Sequence, residues 1–312
     1  MNDTVSEILW DVIIVGAGAA GLSAALVLGR CRRNVLVFDD GQPRNRVSHA
    51  MHGFLSRDGL PPAQFRSIAR EQLAPYSSVV FEDQRVVGAT RVGAHFGIRA
   101  KDGREFRTRK LLLAAGVVDE LPAQPGFREL YGRAVFHCPY CDGWEMRDRP
   151  LAVYGRGDHK GGGLALELTL WSRDLVLCTD GPSDLSDDFR QRLKQKSIPI
   201  REEKILQLKI ESAVPYQGSF EIVFETGPPL QRAGLFFNTD RRQSTDLAAR
   251  LGCDMYDLKG CKIDNDQQMT NVPGLYLAGD ASRDVLQVVV AAAEGAEAAI
   301  GINTALLRED LK

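Results

Sequence analysis

The chain has 312 residues, of which 44% are hydrophobic and 26% charged, a composition typical of globular proteins long enough for two domains. Its formal net charge of −2 and pI near 6.2 give no electrostatic basis for binding nucleic acid or an anionic membrane. No uninterrupted apolar run reaches the roughly 18 residues that cross a bilayer, and the first residues lack the basic region of a signal peptide. We therefore expect a cytoplasmic protein.

The segment DVIIVGAGAAGLSAALVLGR, residues 11–30, predicts a buried strand, a glycine-rich turn and a helix. In its G-x-G-x-x-G motif Gly16 permits the tight turn, Gly18 lets the backbone approach a pyrophosphate, and Gly21 allows close packing of helix on strand. A second apolar strand ends at Asp39, 23 residues after Gly16, about where an acid meets the ribose hydroxyls. The pattern predicts a dinucleotide-binding site.

Two of the six cysteines, Cys138 and Cys141, form a C-x-x-C motif with Asp142 directly behind them. Zinc ribbons and redox-active dithiols share this spacing. The remaining cysteines form no second close pair and stand at Cys31, Cys178, Cys253 and Cys261. The sequence therefore favours a redox dithiol over a metal knuckle, and we expect no metal site.

The segment TNVPGLYLAGDASRDVLQVVVAAAEGAEAAIG, residues 270–301, predicts a short strand, then Gly279 and Asp280, then a helix of small residues. It resembles the second FAD signature of the two-dinucleotide-binding disulfide reductases, in which the acid holds the ribityl chain and the helix dipole faces the flavin. The stretch RKLLLAAGVVDELP, residues 109–122, resembles the segment that leads from the flavin domain of these enzymes into the middle domain, with Ala115 in the place of a threonine.

The order of these motifs resembles low-molecular-weight thioredoxin reductase along nearly the whole chain. FAD segments stand at both ends, and C-x-x-C-D precedes a second nucleotide-like unit at residues 149–181. The resemblance implies an α/β protein with two Rossmann-like three-layer ββα dinucleotide-binding domains. The FAD domain is discontinuous, residues 1–116 and 241–312, and a central NAD(P)-like domain, residues 117–240, is inserted in it. The resemblance also implies FAD as the cofactor and a homodimer.

By the same resemblance a set of residues from both ends of the chain is expected to bind FAD. They are Gly16, Gly18, Ala19, Ala20, Gly21, Asp39, Arg44, Asn45, Val86, Ala115, Gly116, Gly279, Asp280, Gln287 and Val288. Two histidines, His49 and His52, follow in the segment after Asn45. Whether they face the flavin or the dithiol, or are ordinary loop histidines, stays open.

The resemblance gives the two cysteines different roles. It implies that Cys141 lies against the flavin and passes electrons as a charge-transfer thiolate. Cys138 then attacks the disulfide of a thioredoxin-like protein or a small disulfide, through a mixed disulfide. Asp142 is expected to shuttle protons for the pair, and the alternative role for an aspartate at this place is the N-cap of a helix.

The central domain departs from the NADPH-binding pattern of that family. Gly155 and Gly157 are present, but Lys160 stands third in the motif, where a long side chain is expected to prevent close packing. Residues 178–180 read Cys-Thr-Asp where the family has a basic cluster that clamps the 2′-phosphate. The sequence therefore predicts that NADPH is a poor electron donor and leaves ferredoxin and NADH open.

Two other functions stay open. The segment DDGQPRNRVSHAMHGFLSRDG, residues 39–59, also resembles flavin dithiol oxidases of the gliotoxin-oxidase type, which pass electrons to oxygen. Those oxidases typically place a histidine after the second cysteine, where this chain has Asp142, and this favours the reductase. The second alternative is a flavin-binding redox sensor without turnover, and the intact C-x-x-C-D motif argues against it.

Overall fold

The computed structural model describes residues 5–238, 240–256, 260–263, 267–282 and 285–312. The chain divides into two compact units. Unit 1 comprises Met1–Arg46, Pro62–Val118 and Arg241–Lys312, and unit 2 comprises Val47–Pro61 and Asp119–Asp240. The domain boundaries expected after residues 116 and 240 lie close to this division, whereas Val47–Pro61, expected within the FAD domain, groups with unit 2.

The strands are numbered in chain order. They are β1 (Val5–Val15), β2 (Val35–Phe38), β3 (Val79–Glu82), β4 (Val86–Val92), β5 (His95–Ala100), β6 (Glu105–Leu113), β7 (Val117–Asp119), β8 (Val135–Phe136), β9 (Leu151–Tyr154), β10 (Leu175–Cys178), β11 (Ile200–Arg201), β12 (Ile205–Ser212), β13 (Ser219–Phe224), β14 (Leu230–Arg232), β15 (Gly234–Phe237), β16 (Arg241–Gln243), β17 (Met255–Tyr256), β18 (Gly260–Cys261) and β19 (Leu275–Leu277).

The α-helices are numbered in the same way. They are α1 (Ala19–Arg30), α2 (Pro62–Leu73), α3 (Phe127–Leu130), α4 (Pro139–Asp142), α5 (Leu164–Glu167), α6 (Asp187–Gln195), α7 (Leu247–Arg250) and α8 (Val288–Asp310). Short 3₁₀ helices span Arg44–Val47, Leu168–Leu170 and Gly279–Ala281, and a π-helix spans Gly157–Gly163.

Unit 1 is built on a parallel sheet in which β3, β2, β1, β6 and β19 are neighbours. The central strands are apolar without interruption, as in Val35–Phe38, because both of their faces are covered. Alternate residues point to opposite faces, so Ile14 packs on the side of α1 and α8 whereas Ile13 packs on the side of β4 and β5. Unit 1 therefore has three layers: helices, a parallel sheet and an antiparallel meander of β4, β5 and the first half of β6.

Unit 2 repeats this plan. Its parallel sheet has the order β11, β10, β9, β15, β8, and β12, β13 and β14 form the antiparallel layer. In β9, Ala152 packs with Phe220 of β13, whereas Val153 packs with Leu164 and Leu168 on the helical side. The prediction of an α/β fold with two Rossmann-like three-layer units is confirmed.

The long helix α8 has, among the described residues, the length and composition of a membrane-spanning helix, with a mean hydropathy of 1.2. Ala298, Ala299 and Ile302 are fully buried in unit 1, on the side of the sheet where α1 lies. At the crossing of the two helices, a Cβ on Gly295 would lie 2.0 Å from the carbonyl oxygen of Ala20. The small residues of α8 are therefore explained by its close packing against α1.

Candidate functional site

The glycine turn of unit 1 has the geometry that the sequence predicts. Gly16 has a positive φ of +109°, and a Cβ on it would lie 2.4 Å from the Ala114 carbonyl oxygen. A Cβ on Gly21 would lie 1.9 Å from the Gly16 carbonyl oxygen, so only glycine lets α1 approach the turn this closely. Gly18, the N-cap of α1, has open space around its Cβ position. The backbone N–H groups of the first helical turn thus stand behind a place that a phosphate can approach.

Residues from the other end of the chain lie beside this turn. A Cβ on Gly279 would lie 3.0 Å from the Cβ of Ala20, and one on Gly116 would lie 4.0 Å from the Cβ of Asp280. Asp280 forms an ion pair with Arg44, with 3.1 Å between the carboxylate oxygen and the guanidinium nitrogen. Unit 1 therefore brings together segments that are far apart in sequence and that were all assigned to FAD.

A buried glutamate holds the Gly279–Ala281 turn, and sequence reasoning missed it. Glu294 of α8 is 2% exposed, and its Oε2 accepts hydrogen bonds from the backbone N–H of Gly279 (2.7 Å) and the hydroxyl of Ser282 (3.0 Å). An acid among the small residues of a core helix is the signal that predicts such a buried partner.

Asp39, the acid expected at the ribose, is bound by the protein's own cations. Its Oδ1 accepts a hydrogen bond from the Gly41 N–H at 2.9 Å, and its Oδ2 contacts Arg66 and, at 2.8 Å, Arg70. These arginines are four residues apart on α2 and so share one face of it. Asp39 thereby joins α2 to the end of β2, and its contact with a ribose stays a prediction.

The other residues assigned to FAD occupy varied positions in unit 1. Asn45 is half-buried in the 3₁₀ turn Arg44–Val47. Ala19 begins α1, Gln287 is the N-cap of α8, and Val288 begins that helix. The carbonyl of Ala115 accepts a hydrogen bond from the Ser244 hydroxyl (2.8 Å), and the side chain of Val86 packs in the core beside β5. If Val86 contacts the cofactor, its backbone atoms make the contact, because its side chain is buried.

In unit 2 the two cysteines of the C-x-x-C motif form a disulfide, with 5.2 Å between their Cα atoms. Cys138 is the N-cap of α4 and Pro139 its first residue, a position that suits proline because no N–H is needed there. Among the cysteines whose side chains the structure describes, Cys31 is exposed with a free thiol and Cys178 is buried with a free thiol. Burial raises the pKa of the Cys178 thiol to about 12, so this cysteine is unreactive at neutral pH.

Asp142 closes the short helix behind the disulfide. Since Cys138 holds the N-cap position, the alternative that Asp142 caps α4 is wrong. The side chain is 7% exposed, and its Oδ1 accepts a hydrogen bond from the Tyr216 hydroxyl at 3.1 Å. Burial raises the pKa of Asp142 to about 7, and the Tyr216 hydrogen bond opposes that rise by stabilising the carboxylate. A carboxyl with this pKa exchanges protons readily at neutral pH.

The two histidines that were left open lie in unit 2, near Tyr216. The ring centroids of His49 and His52 lie 6.2 and 6.4 Å from that of Tyr216. His52 has its Nε2 3.6 Å from Glu145 and its Nδ1 3.5 Å from Asp58. Glu145 was within reach of sequence reasoning, as an acid three residues after Asp142, whereas nothing local marks Tyr216.

The nucleotide-like turn of unit 2 corrects one prediction. Residues Gly157–Gly163 form a π-helix, which holds one more residue in its turn than an α-helix does. A Cβ on Gly161 would lie 2.7 Å from the Gly155 carbonyl oxygen, so Gly161 makes the close approach that Gly21 makes in unit 1. Lys160 instead forms an ion pair with Asp240 at 2.6 Å on the surface. The expectation that Lys160 prevents close packing is wrong, because the third place belongs to Gly161.

The end of β10 is occupied by bonds within unit 2. Oδ1 of Asp180 accepts a hydrogen bond from the Ile205 N–H (2.8 Å), and Oδ2 accepts one from the Gln124 amide (2.9 Å). Arg156, between the first two glycines of the motif, donates to the carbonyl oxygens of Thr179, at 2.8 Å, and of Asp180. Asp180 thus stabilises its own loop, and the guanidinium of Arg156 lies over the segment where the family has its basic cluster.

A family model described as pyridine nucleotide-disulphide oxidoreductase matches residues 10–296. The chain belongs to this family. A probable thioredoxin reductase of Arthroderma benhamiae is 31% identical over 302 residues, covering 88% of this chain and 74% of that protein. The thioredoxin reductase tcpT of Claviceps purpurea is 30% identical and covers 86% of each chain.

Two solved structures resemble this chain along nearly its whole length. The putative thioredoxin reductase TrxB of Bacillus anthracis has a TM-score of 0.90 and 34% identity, covering 96% of this chain and 99% of that one. HlmI has a TM-score of 0.91 and 35% identity, covering 99% and 96%. The chain is therefore a thioredoxin-reductase-like oxidoreductase of the pyridine nucleotide-disulphide oxidoreductase family, which confirms the predicted resemblance. Membership implies FAD, and the glycine turn, the open space at Gly18 and the convergence of Gly116, Gly279 and Asp280 fit that cofactor.

Gly18→Val should abolish FAD binding without unfolding the apoprotein. The open space at the Gly18 Cβ and its ordinary φ of −78° leave room for a side chain, but this side chain then fills the place where the pyrophosphate approaches. The flavin-to-protein absorbance ratio after reconstitution and the melting temperature of the apoprotein measure the two effects. Gly88→Val, in β4 of the same unit, is the control and should keep FAD. Retention of FAD by Gly18→Val would contradict the assignment.

In the oxidised protein, the Asp142→Asn variant should become more stable relative to wild type as the pH rises. The folded-state pKa of about 7 stands above the ordinary value of 3.8, so the unfavourable ionisation is absent below pH 3.8 and complete above about 7. The free energy of unfolding of the variant relative to wild type should rise across this window by about 2–4 kcal/mol. Denaturant titrations over a pH series measure it, with the exposed Asp188→Asn of α6 as control. Parallel curves for Asp142→Asn and wild type would show that burial does not raise this pKa.

Proposed function

We propose that this chain is an FAD-dependent oxidoreductase that passes electrons between its flavin and the Cys138–Cys141 dithiol, and on to the disulfide of a thioredoxin-like protein. The observation that carries the proposal is the disulfide at the start of α4 with the buried carboxyl of Asp142 one turn behind it. Bound FAD supplies a two-electron carrier. Localisation in the cytoplasm and assembly as a homodimer stay predictions, from the composition and from the resemblance.

The chemistry of the dithiol follows from its own atoms. Two electrons and two protons break the bond between the Cys138 and Cys141 sulfurs and give two thiols. Cys138, as a thiolate, attacks one sulfur of the partner's disulfide, which forms a mixed disulfide and releases a partner thiolate. Cys141, as a thiolate, then attacks the Cys138 sulfur, restores the intrachain disulfide and releases the second partner thiolate. The two protons lost by the cysteines balance those taken up by the partner.

Asp142 is proposed to carry these protons. Because its pKa of about 7 lies close to neutral pH, both its protonated and its ionised forms are accessible there, so it can accept a proton from a cysteine and donate one back. Its position one helical turn from Cys138, whose carbonyl accepts the Asp142 N–H at 3.2 Å, keeps the carboxyl in unit 2 with the dithiol.

The role of the dithiol is tested by two cysteine variants. Cys138→Ser and Cys141→Ser should each lose turnover of a thioredoxin-like disulfide substrate, because both sulfurs are needed for exchange. Cys138→Ser should keep a long-wavelength charge-transfer band from the remaining Cys141 thiolate, whereas Cys141→Ser should lack it. The exposed free cysteine supplies the matched control, Cys31→Ser, which should keep full turnover. A band in Cys141→Ser alone would reverse the two roles, and full turnover in either variant would remove the dithiol from the mechanism.

We infer that NADPH is a poor electron donor and that NADH or a ferredoxin supplies the electrons. Lys160 gives no argument against NADPH, since Gly161 provides the close approach of helix to turn. The inference rests on the end of β10, where the family has the basic cluster that binds the 2′-phosphate. Here Thr179 is buried, and Asp180 and Arg156 form hydrogen bonds within unit 2. The acidic loop after β10 adds repulsion to a 2′-phosphate.

Stopped-flow reduction of the bound FAD under argon tests this donor preference. Each missing charged hydrogen bond to a phosphate weakens binding by about 1.5–3 kcal/mol, so the loss of two should raise the concentration needed by about a hundredfold or more. NADH and a reduced ferredoxin are compared in the same experiment. Lys160→Ala should leave all rates unchanged, because Lys160 pairs with Asp240 at the surface. Fast, saturable bleaching at micromolar NADPH would contradict the inference.

A further inference from the structure

Tyr216 is held in one orientation on the face of Asp142. Its ring stacks on Phe136, with 5.7 Å between centroids and 13° between planes, and Arg149 donates a hydrogen bond to its backbone carbonyl. Its φ of +57° lies in the left-handed region, which an aromatic residue adopts only when its surroundings fix it there. These contacts aim the Tyr216 hydroxyl at the Asp142 carboxyl, 3.1 Å away.

The hydroxyl acts as a donor to this carboxyl. Burial and the neighbouring Asp142 charge raise the pKa of Tyr216 well above its usual range, so the phenol stays protonated. An ionised carboxyl only accepts hydrogen bonds, whereas a protonated one also holds a hydrogen of its own. The Tyr216 hydrogen bond is therefore strongest with the carboxylate form of Asp142.

Two ionisable side chains of unit 2 have opposite electrostatic effects on the pKa of this carboxyl. The charge of Glu145 raises the pKa of Asp142, and that of His52 lowers it. Both side chains are largely buried, and Nε2 of His52 lies 3.6 Å from the Glu145 carboxylate. The His52 ring also lies 6.4 Å from the Tyr216 ring, so this pair packs beside the residue that donates to Asp142.

We propose that Tyr216, Glu145 and His52 are positioning residues for Asp142, in which the Tyr216 phenol fixes the carboxyl and the other two set the pH at which it exchanges protons with the dithiol. The proposal rests on the proposed function, in which Asp142 serves the dithiol. Two other charged groups lie near this cluster. Asp58 pairs with His52, and Arg149 donates a hydrogen bond to the backbone carbonyl of Tyr216. His49 lies against the Tyr216 ring.

The hydrogen bond from Tyr216 and the charges of His52 and Glu145 predict three displacements of the pH at which Asp142 titrates. Tyr216→Phe removes the donor to the carboxylate and should move the transition upward by about one pH unit. His52→Gln removes the side chain whose charge lowers the pKa of Asp142 and should also move the transition upward. Glu145→Gln removes an anion and should move it downward. Tyr154→Phe is the matched control, because its hydroxyl lies 3.5 Å from a different aspartate, Asp180, in the same unit, and it should leave the transition in place.

Two measurements on the FAD-loaded protein read the transition. The first is the infrared carbonyl band of the protonated carboxyl, identified by its loss in Asp142→Asn and titrated through a pH series around 7. The second is the anaerobic rate at which dithiothreitol bleaches the flavin band over the same series. The infrared band reports the proton on Asp142 whether or not that proton takes part in catalysis.

The outcomes separate the two hypotheses. Upward displacement in Tyr216→Phe and His52→Gln and downward displacement in Glu145→Gln, in both measurements, support the proposal. An infrared transition that none of the three variants moves overturns it, even if the variants melt at lower temperature. If the variants move the infrared transition but the pH dependence of the bleaching rate does not change, the proposed proton-carrying role of Asp142 fails. The dithiol then exchanges protons with another group. If Tyr216→Phe does not fold, the opposite displacements in His52→Gln and Glu145→Gln decide.

Discussion

A carboxyl group buried directly behind a disulfide is unfavourable to ionise, and much of unit 2 is arranged around that carboxyl. A hydroxyl donor to Asp142 comes from Tyr216, on a loop 74 residues further along the chain. Stacking on Phe136 and a strained backbone keep that donor in place. The short helix α4 and its N-cap supply the two cysteines and the acid together, so a single turn of chain carries all the atoms to which the proposal assigns electron and proton transfer. Under the proposal, the side chains around that turn set the pH at which the proton moves.

The two units solve the strand-to-helix turn with the same steric rule. In each, one glycine of the turn meets the carbonyl oxygen of an earlier glycine, at Gly21 with Gly16 and at Gly161 with Gly155. Unit 1 also leaves open space at Gly18, and Gly279 of the C-terminal segment lies beside Ala20 in the first turn of the same helix. In unit 2 the side chains near the equivalent turn bond to their own loops, as Arg156 and Asp180 do. Similar backbones therefore present different chemistry to a nucleotide.

The sequence predicted the features that depend on local sterics. The positive φ of Gly16, the close approach of Gly21 and the layered α/β units follow from residue types at fixed spacing, and the structure has them. The sequence did not predict contacts between residues that are distant in the chain and that only the fold brings together. No local pattern links Tyr216 to Asp142, or Arg66 and Arg70 to Asp39. Lys160 was misassigned because the spacing rule presumes an α-helix after the turn, and the helix that forms is wider.

The wide turn of Gly157–Gly163 has a consequence for how such chains are compared. An extra residue lodged in a helix displaces the letters of a motif by one while leaving the backbone's course nearly unchanged. Aligned by letters, this turn looks like a degraded nucleotide motif, and aligned by backbone it looks intact. Homologues sorted by fixed-spacing patterns would be divided at a place where their architecture is continuous.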